Sequence, residues 1–456
     1  MRATVETDWR RAEPSRLDGG RVGTLAIVLV FVAALTPFLV SSMLLSEFNI
    51  PYDTAGGSPL SKIHPATYLT ILALAVYLVA TGHPMQFARK SAERFPSLIV
   101  FVPILALLFT WTVFVQKTPI TNRLDTFVPP AIMLALIGDL SEKRHRLLTT
   151  LLHIVLTANA VIGIGEVATG LRLTPFAIGG QVIDWDWRAT ALLGHPLDNA
   201  LFTGLYLLTL YFGADRAIPN WLRLPMIGLQ LVALVSFGGR TALIAALAII
   251  LASLAWRFAR VLAGARFDAR IAAAIVVALP IVIAGFIAAF ESGLFDRLME
   301  RFTNDDGSAA TRVAMLRILA SFSLHDLLLG PDQEVLTEQM WLEGSYIAIE
   351  SFVIGFFVQS GILISLILFA GLAAFSADLW RIGGRYALWQ ILYFYFVAAG
   401  SASLSEKTQM LAQFVILIAT IEARPGLGDA PAAASDSAAG RLDKETDLTV
   451  LPHTAP

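Results

Sequence analysis

Long apolar runs separated by short polar connections make up most of the chain. A helix needs roughly 17 to 25 mostly apolar residues to cross a bilayer, and runs near that length recur from residue 24 to residue 421. We count about twelve of them, a few of which are short. The sequence therefore predicts an all-α polytopic membrane protein with about twelve transmembrane helices. The predicted spans are residues 24–46, 66–82, 97–116, 127–139, 147–169, 200–214, 222–237, 241–256, 271–290, 347–377, 387–400 and 410–421.

The polar segments at the two termini are predicted to lie on the same side of the membrane. Residues 1–23 are polar and lead into a run that is too long for the core of a cleavable signal, which predicts a cytoplasmic N-terminal segment. Residues 24–422 form the predicted transmembrane bundle. Residues 423–456 are rich in Ala, Gly, Pro, Ser and Asp, which predicts a disordered cytoplasmic tail. Connections predicted on this side carry most of the 33 basic residues, in agreement with the positive-inside rule.

Composition agrees with a membrane protein and excludes several other classes. Apolar residues make up 56% of the chain and charged residues 15%, with a mean hydropathy of +0.69. The net charge of -2 argues against a nucleic-acid partner, which would require a surplus of basic residues. Because cysteine is absent, disulfides, thiolate nucleophiles and cysteine-ligated metal centres are excluded.

Two connections predicted on the outer side are long enough to build a site, residues 171–199 and residues 291–346. The second is by far the longest, and connections of that length are usually functional or disordered. Apolar residues recur in it at helical spacing, which predicts a helix that covers the outer surface. These residues are Val313, Leu316, Leu319, Ala320 and Phe322.

Two arginines at the outward ends of predicted spans are candidates for an anion site. Arg188 precedes an apolar span, and Arg240 follows two glycines in a tight turn. A planar guanidinium suits phosphate or carboxylate, and charge within a membrane indicates a functional site by default. The structural alternatives are a snorkelling side chain for Arg188 and a salt bridge within the bundle for Arg240.

Four short motifs follow one another along the second half of the chain's predicted bundle. They are Arg188-(x)5-Gly194-His195-Pro196-(x)2-Asn199-Ala200, Ser236-(x)3-Arg240, Arg312-(x)12-His325-(x)4-Gly330 and Glu350-Ser351-(x)9-Gly361. In order and placement they resemble the superfamily of O-antigen ligases and Wzy-type polysaccharide polymerases, and within it the VpsF-like exopolysaccharide branch. The chain departs from the pattern at Asp326, where proline is common, and at Glu350, where histidine is usual.

The resemblance implies a GT-C-like helical bundle in the bacterial inner membrane with an active site on the periplasmic face. The donor would be a glycan on undecaprenyl pyrophosphate, transferred without a metal or other cofactor. Arg188, Arg240 and Arg312 would contact the pyrophosphate, whose charge grows as the sugar–oxygen bond breaks. Membrane lipid, a chain-length regulator or other polysaccharide-assembly proteins are the further partners that the resemblance implies.

A general base must take the proton of the acceptor hydroxyl, and three residues are candidates. Glu350 stands at the mouth of an apolar span, where a carboxylate can have a raised pKa. Its structural alternative is pairing with an arginine. His195 is the second candidate, with capping of the following helix as its alternative, and His325 is the third, with a plain surface position as its alternative.

The stretch Asp184-Trp185-Asp186-Trp187 offers sugar-binding residues. Tryptophan rings stack on sugars, although tryptophans at a membrane interface are also common anchors. Two carboxylates one residue apart could instead chelate a divalent ion. Such a pair is a weak signal, and we predict no metal site.

Three functions fit these residues. The leading prediction is a polymerase that moves a growing glycan from one lipid carrier to an acceptor sugar, and the second is a ligase that transfers it to a lipid A core or another acceptor. The third is a transporter or flippase for a lipid-linked sugar, which would place its cations near the membrane midplane. Arg188 and Arg240 are predicted to lie at the outer edge of the membrane, and this position favours an enzyme.

Overall fold

A computed structural model describes residues 21–54, 56–178, 181–183, 187–213, 218–264, 308–344 and 349–422. Its regular structure is helical, apart from a two-residue antiparallel ladder that pairs Ala177–Ile178 with Gln181–Val182. The predicted ninth span and the two terminal segments lie outside these ranges, except that the first helix begins at Arg21 and not at residue 24. The helices are α1 Arg21–Leu39, α2 Ser42–Glu47, α3 Pro65–Thr81, α4 Pro84–Arg94, α5 Ser97–Phe114, α6 Thr121–Gly138, α7 Glu142–Thr169, α8 Pro196–Phe212, α9 Asn220–Phe237, α10 Arg240–Leu262, α11 Ser308–Ser321, α12 Leu324–Leu329, α13 Gln333–Leu342, α14 Phe352–Ser360, α15 Ile362–Gly383, α16 Arg385–Ala398 and α17 Met410–Leu417.

Several described helices can cross a membrane. Six of those within the described ranges are long and apolar enough, namely α1, α5, α7, α9, α10 and α15. A seventh span results if α3 and α4, which are bent by 115° at their junction, are counted as one. The prediction of an α-helical, multi-pass membrane protein is therefore confirmed. The total of about twelve spans stays a prediction, because the remaining helices are shorter or more polar.

Side-chain contacts show at which of the two ends of the bundle each connection between helices lies. At one end, Gly194 packs on Ser41, and Arg123 Nη1 donates to the carbonyl of Ser405 over 2.9 Å. We call this the first-loop end, because it carries residues 40–64. At the opposite end, the Tyr77 hydroxyl lies 2.6 Å from Asp139 Oδ2. Consecutive long helices thus run in alternating directions, as expected for a polytopic bundle.

Helix α8 is enclosed by other helices along nearly its whole length. All of its residues are buried except Leu197, Asp198 and Tyr211. It packs against α9, α10 and α16. A methyl group at Gly204 would overlap the Tyr393 hydroxyl, so only glycine lets α16 approach this closely. A helix that is apolar on nearly every side is expected in such a central position.

Helices α11, α12 and α13 form a cover with a small hydrophobic core of its own. The core consists of Met315, Ile318, Leu336, Ile349 and Val358, the last of which belongs to α14. The helix predicted in this connection is present as α11, but its predicted apolar face is partly wrong. Leu319 and Phe322 do pack on the core, whereas Val313 and Leu316 are 47% and 58% exposed, because Met315 and Ile318 face it instead.

Candidate functional site

The connection between α7 and α8, which contains Arg188, is hydrogen-bonded to one buried carboxylate near the end of α7. Glu166 is 4% exposed. Its Oε1 accepts from the Leu173 N–H over 2.6 Å, and its Oε2 accepts from the N–H groups of Thr190 and Ala191 over 2.6 and 3.0 Å. A carboxylate that accepts several backbone N–H bonds makes strong, charge-assisted contacts. Both ends of the connection after α7 are therefore held at the same point.

Asn199 fixes the turn that follows. Its amide nitrogen donates to the Thr190 carbonyl over 2.6 Å and to the His195 carbonyl over 3.0 Å. Within this turn Ala191 has a φ of +37°, a conformation that residues other than glycine rarely adopt. The Oδ1 atom of Asn199 is buried, and no hydrogen-bond partner for it lies in the described residues. Such a strained backbone persists only where the surrounding bonds fix it.

Arg188 lies at the surface of this fastened stretch. It is half-buried, with its guanidinium 5.7 Å from the centre of the Phe176 ring. Its carbonyl accepts from Arg172 Nε over 3.1 Å, and the Arg172 guanidinium stacks 4.8 Å from the Trp187 ring centre. Trp187 is 38% exposed, and its role in sugar binding stays a prediction. Asp184, Trp185 and Asp186 lie outside the described residues, and their predicted roles stay predictions.

Arg240 lies at the start of α10, which contacts the first residues of α8. It is the first residue of that helix and is half-buried. The preceding Gly239 packs directly on Ala200, in the first turn of α8. Since Thr190 is bonded to Asn199 beside Ala200, both arginines lie at the first-loop end around the first turn of α8. The structure therefore places the two arginines at the same end of the bundle, and their joint role in binding an anion stays a prediction.

His195 is the N-cap of α8. Its Nδ1 accepts from the Leu197 N–H over 3.2 Å and lies 3.8 Å from Asp198 Oδ1. The ring also packs edge-on against Phe176. This is the capping arrangement given above as the alternative for His195. Its role as a base stays a prediction.

The remaining predicted residues belong to the cover or to its attachment. Glu350 is exposed, directly ahead of α14. The Phe352 N–H donates to the Ser401 carbonyl over 2.8 Å, and Ser401 follows α16, which packs on α8 and α10. Glu350 is thus at the first-loop end. Arg312 and His325 lie on exposed positions of α11 and α12, where the surface alternative for His325 applies.

A buried polar network at the first-loop end was not predicted from the sequence. Asp125 is fully buried, and its carboxylate accepts from the Tyr52 hydroxyl over 2.9 Å, the Thr67 hydroxyl over 2.7 Å and the His64 N–H over 3.0 Å. Gln409 donates to the Thr67 hydroxyl. These bonds join residues 40–64 to α6, α3 and the connection before α17.

Charged residues of the two connections flank this network. Lys407 Nζ lies 3.4 Å from Asp53 Oδ1 and 3.7 Å from the centre of the Tyr52 ring. Burial lowers the pKa of Lys407 and raises the pKa of Asp53. Burial likewise raises the pKa of the Tyr52 phenol well above its ordinary value. Each group is thus shifted towards its neutral form, as desolvation requires.

Arg123 forms a second part of the network. Its Nη2 donates to Gln359 Oε1 over 3.0 Å, and Gln359 Nε2 donates to Glu406 Oε1 over 3.1 Å. The guanidinium also lies 4.8 Å from the centre of the Phe356 ring. Gln359 therefore forms a hydrogen-bonded bridge between the buried Arg123 and the Glu406 carboxylate, and it links α6 to α14. The sequence signal was the pair of charges at 123 and 125, immediately before a predicted span.

The stability of this end is expected to fall in acid because of His64. Burial lowers the pKa of His64 to about 4, with Nε2 on the Val40 carbonyl and Nδ1 accepting from the Ala66 N–H. A depressed pKa gives stability that is present above the unfolded value near 6.5 and is lost as the pH falls towards 4. The loss is up to about 3 kcal/mol. Melting temperatures measured from pH 7.5 to 4.5 should therefore fall more steeply for wild type than for His64→Asn, which caps α3 without titrating. Equal slopes would contradict this assignment.

Among the described residues, no group of three histidine, aspartate or glutamate side chains is placed to hold a metal ion. Together the fold and the site define a multi-pass α-helical membrane protein with a charged, partly buried first-loop end. The chain matches no protein-family model, and no curated protein or solved structure is similar to it.

Proposed function

We propose that the protein is a polysaccharide polymerase of the bacterial inner membrane, with both termini cytoplasmic. It transfers a glycan from undecaprenyl pyrophosphate to an acceptor sugar hydroxyl at the first-loop end, which faces the periplasm. The observation that supports the proposal is that Arg188 and Arg240 lie at the same end of the bundle, near the start of α8. The bundle would be GT-C-like with about twelve spans.

Two guanidinium groups at one end of the bundle suit a pyrophosphate leaving group. Each offers a planar set of donors that matches phosphate oxygens. The charge on those oxygens grows as the bond between the sugar C1 and the bridging oxygen breaks, so donors already in place lower the barrier. Half-buried positions strengthen the effect, because the local dielectric is lower than that of water.

The distribution of basic residues supports the orientation. Within the described ranges, the opposite end carries the larger set, and positively charged connections tend to remain in the cytoplasm. That set is Arg21, Arg89, Lys90, Arg94, Lys143, Arg144, Arg146, Arg223, Arg257, Arg260, Arg381 and Arg385. The first-loop end then faces the periplasm, where the lipid-linked donor would be presented.

The reaction would join the acceptor oxygen to C1 of the donor sugar while the C1–oxygen bond to the pyrophosphate breaks. The electron pair of that bond leaves with the lipid pyrophosphate. The acceptor proton passes to a base, for which Glu350 is our first candidate, with His195 and His325 as alternatives. A chain-length regulator or another assembly protein would act on the product.

The test is elongation of undecaprenyl pyrophosphate-linked repeat units by the purified protein in the presence of EDTA. Arg188→Ala and Arg240→Ala are each expected to lower kcat by about 10²- to 10³-fold. Arg260→Ala is the matched control, because it removes a cation from the other end of the helix that begins with Arg240. It should retain wild-type activity. Full activity in both site variants would refute the anion site.

Assays on the same purified protein distinguish two other functions from the polymerase. If wild type leaves repeat units unextended but moves a preassembled glycan to a lipid A core or another acceptor, it is a ligase. If neither transfer occurs while lipid-linked sugar crosses reconstituted vesicles, it is a transporter or flippase. The arginines favour transfer, because they lie at one end of the bundle and not near its middle.

A further inference from the structure

The connection after α7 is closed by a single buried side chain. Leu173 and Thr190 lie far apart in the sequence, yet both donate a backbone N–H to Glu166 over 2.6 Å. We infer that Glu166 is a positioning residue that holds Arg188 in place to bind the pyrophosphate of the donor. This inference rests on the proposed function for the identity of the anion.

The bonds on either side of Glu166 extend its effect to Arg188. On the later side, Arg188 is two residues before Thr190, whose hydroxyl also donates to the Thr174 carbonyl over 2.7 Å. The backbone that follows Arg188 is thus bonded both to the carboxylate and to the start of the same connection. It has little freedom to move.

On the earlier side, Leu173 is preceded by Arg172. With the Leu173 N–H held by Glu166, the Arg172 side chain reaches across the connection. Its Nε donates to the Arg188 carbonyl over 3.1 Å, and its Nη1 donates to the Ile183 carbonyl over 3.2 Å. Arg188 is therefore supported from both sides, and its guanidinium lies against Phe176.

The arrangement requires a carboxylate and not merely a polar group. Both oxygens accept, Oε1 from Leu173 and Oε2 from Thr190 and Ala191. In Glu166→Gln one oxygen becomes an NH₂ group, which cannot accept and would face backbone donors. The volume is unchanged, so the substitution removes the acceptor on one side of the connection with little change in packing.

The first measurement is hydrogen exchange at the amides of Leu173, Thr190 and Ala191 in the full-length protein. Glu166→Gln should raise the exchange rate by at least about tenfold on the side that loses its acceptor, which is either Leu173 or the pair Thr190 and Ala191. Glu142→Gln, which alters an exposed ion pair with Arg146 at the other end of α7, should leave all of these exchange rates unchanged. Unchanged exchange in Glu166→Gln would overturn the inference.

The second measurement is the affinity for inorganic pyrophosphate, which does not depend on glycan transfer. We expect Glu166→Gln to weaken binding by about tenfold, since a displaced Arg188 loses part of its charge-assisted bonds to the anion. In an Arg188→Ala background the same substitution should weaken binding by less than about twofold, because both changes act through one side chain. Independent, multiplicative losses would overturn the inference.

A third variant covers the case in which Glu166→Gln does not fold. Arg172→Gln removes the donors to Arg188 and Ile183 without touching the buried carboxylate, and it should weaken pyrophosphate binding in the same non-additive way. Wild-type affinity in this variant would overturn the inference. If pyrophosphate binding follows these expectations but no glycan is transferred, the proposed function fails while the positioning role of Glu166 stands.

Discussion

Replacing Asp125 with alanine is expected to destabilise the protein by about 3 to 5 kcal/mol, because the substitution leaves several buried donors without an acceptor. The hydroxyls of Tyr52 and Thr67 and the N–H of His64 all bond to this carboxylate. None of the three can reach water without opening the packing of residues 40–64. The change is measured by denaturant titration of the purified protein in detergent.

The matched control for Asp125→Ala lies at the other end of the same helix. Asp139 follows α6, is half-buried, and accepts a bond from the Tyr77 hydroxyl over 2.6 Å. Asp139→Ala should cost less, about 1 to 2 kcal/mol, since it removes the acceptor of one hydroxyl and not of three donors. Equal losses for the two variants would show that the network around Asp125 is not the source of the stability.

Replacing Gly361 with alanine is expected to detach the cover and to cost about 3 kcal/mol or more. Gly361 separates α14 from α15 with φ 83° and ψ 152°, a conformation that is essentially restricted to glycine. A Cβ there would lie 2.5 Å from Gly330 N and from the Leu329 carbonyl carbon. The end of α12 would have to move away from the bundle.

Limited trypsin digestion measures this detachment, because Arg312 and Arg317 are exposed on α11. Cleavage there should accelerate by about tenfold in Gly361→Ala if opening precedes cleavage. Gly228→Ala is the control, since no atom lies within 4 Å of its added Cβ in α9. It should be neutral or stabilising by up to about 1 kcal/mol. Identical digestion rates in both variants would contradict the role of the Gly330–Gly361 contact.

Hydrophobic pattern located most of the helices but misplaced boundaries where buried charge intervenes. Residues 127–139 were predicted as a span, whereas α6 begins at Thr121. The missed turns contain Arg123 and Asp125, which a pattern rule assigns to a connection. They are helical and buried because distant segments supply their partners, Ser405 for Arg123 and Tyr52 for Asp125. Such partners are not visible in a local stretch of sequence.

The candidate site likewise has features that the sequence predicted and features that it did not. Counting spans was enough to predict that Arg188 and Arg240 share one side of the membrane, and the two arginines do lie at one end of the bundle. The function of Glu166 could not be predicted, because backbone N–H groups carry no sequence signal. The cap at His195 was predictable as an alternative, since a polar residue before Pro196 commonly begins a helix.

The enclosure of α8 also constrains how the protein can be made. Thr209 receives its bond from Gln390 of α16 over 2.8 Å, and Gly204 is covered by Tyr393 of the same helix. The ribosome releases α8 long before α16, so in the interval these groups face lipid or the insertion machinery. The central helix therefore reaches its final environment only near the end of synthesis. A chain truncated before residue 385 would expose it to membrane quality control.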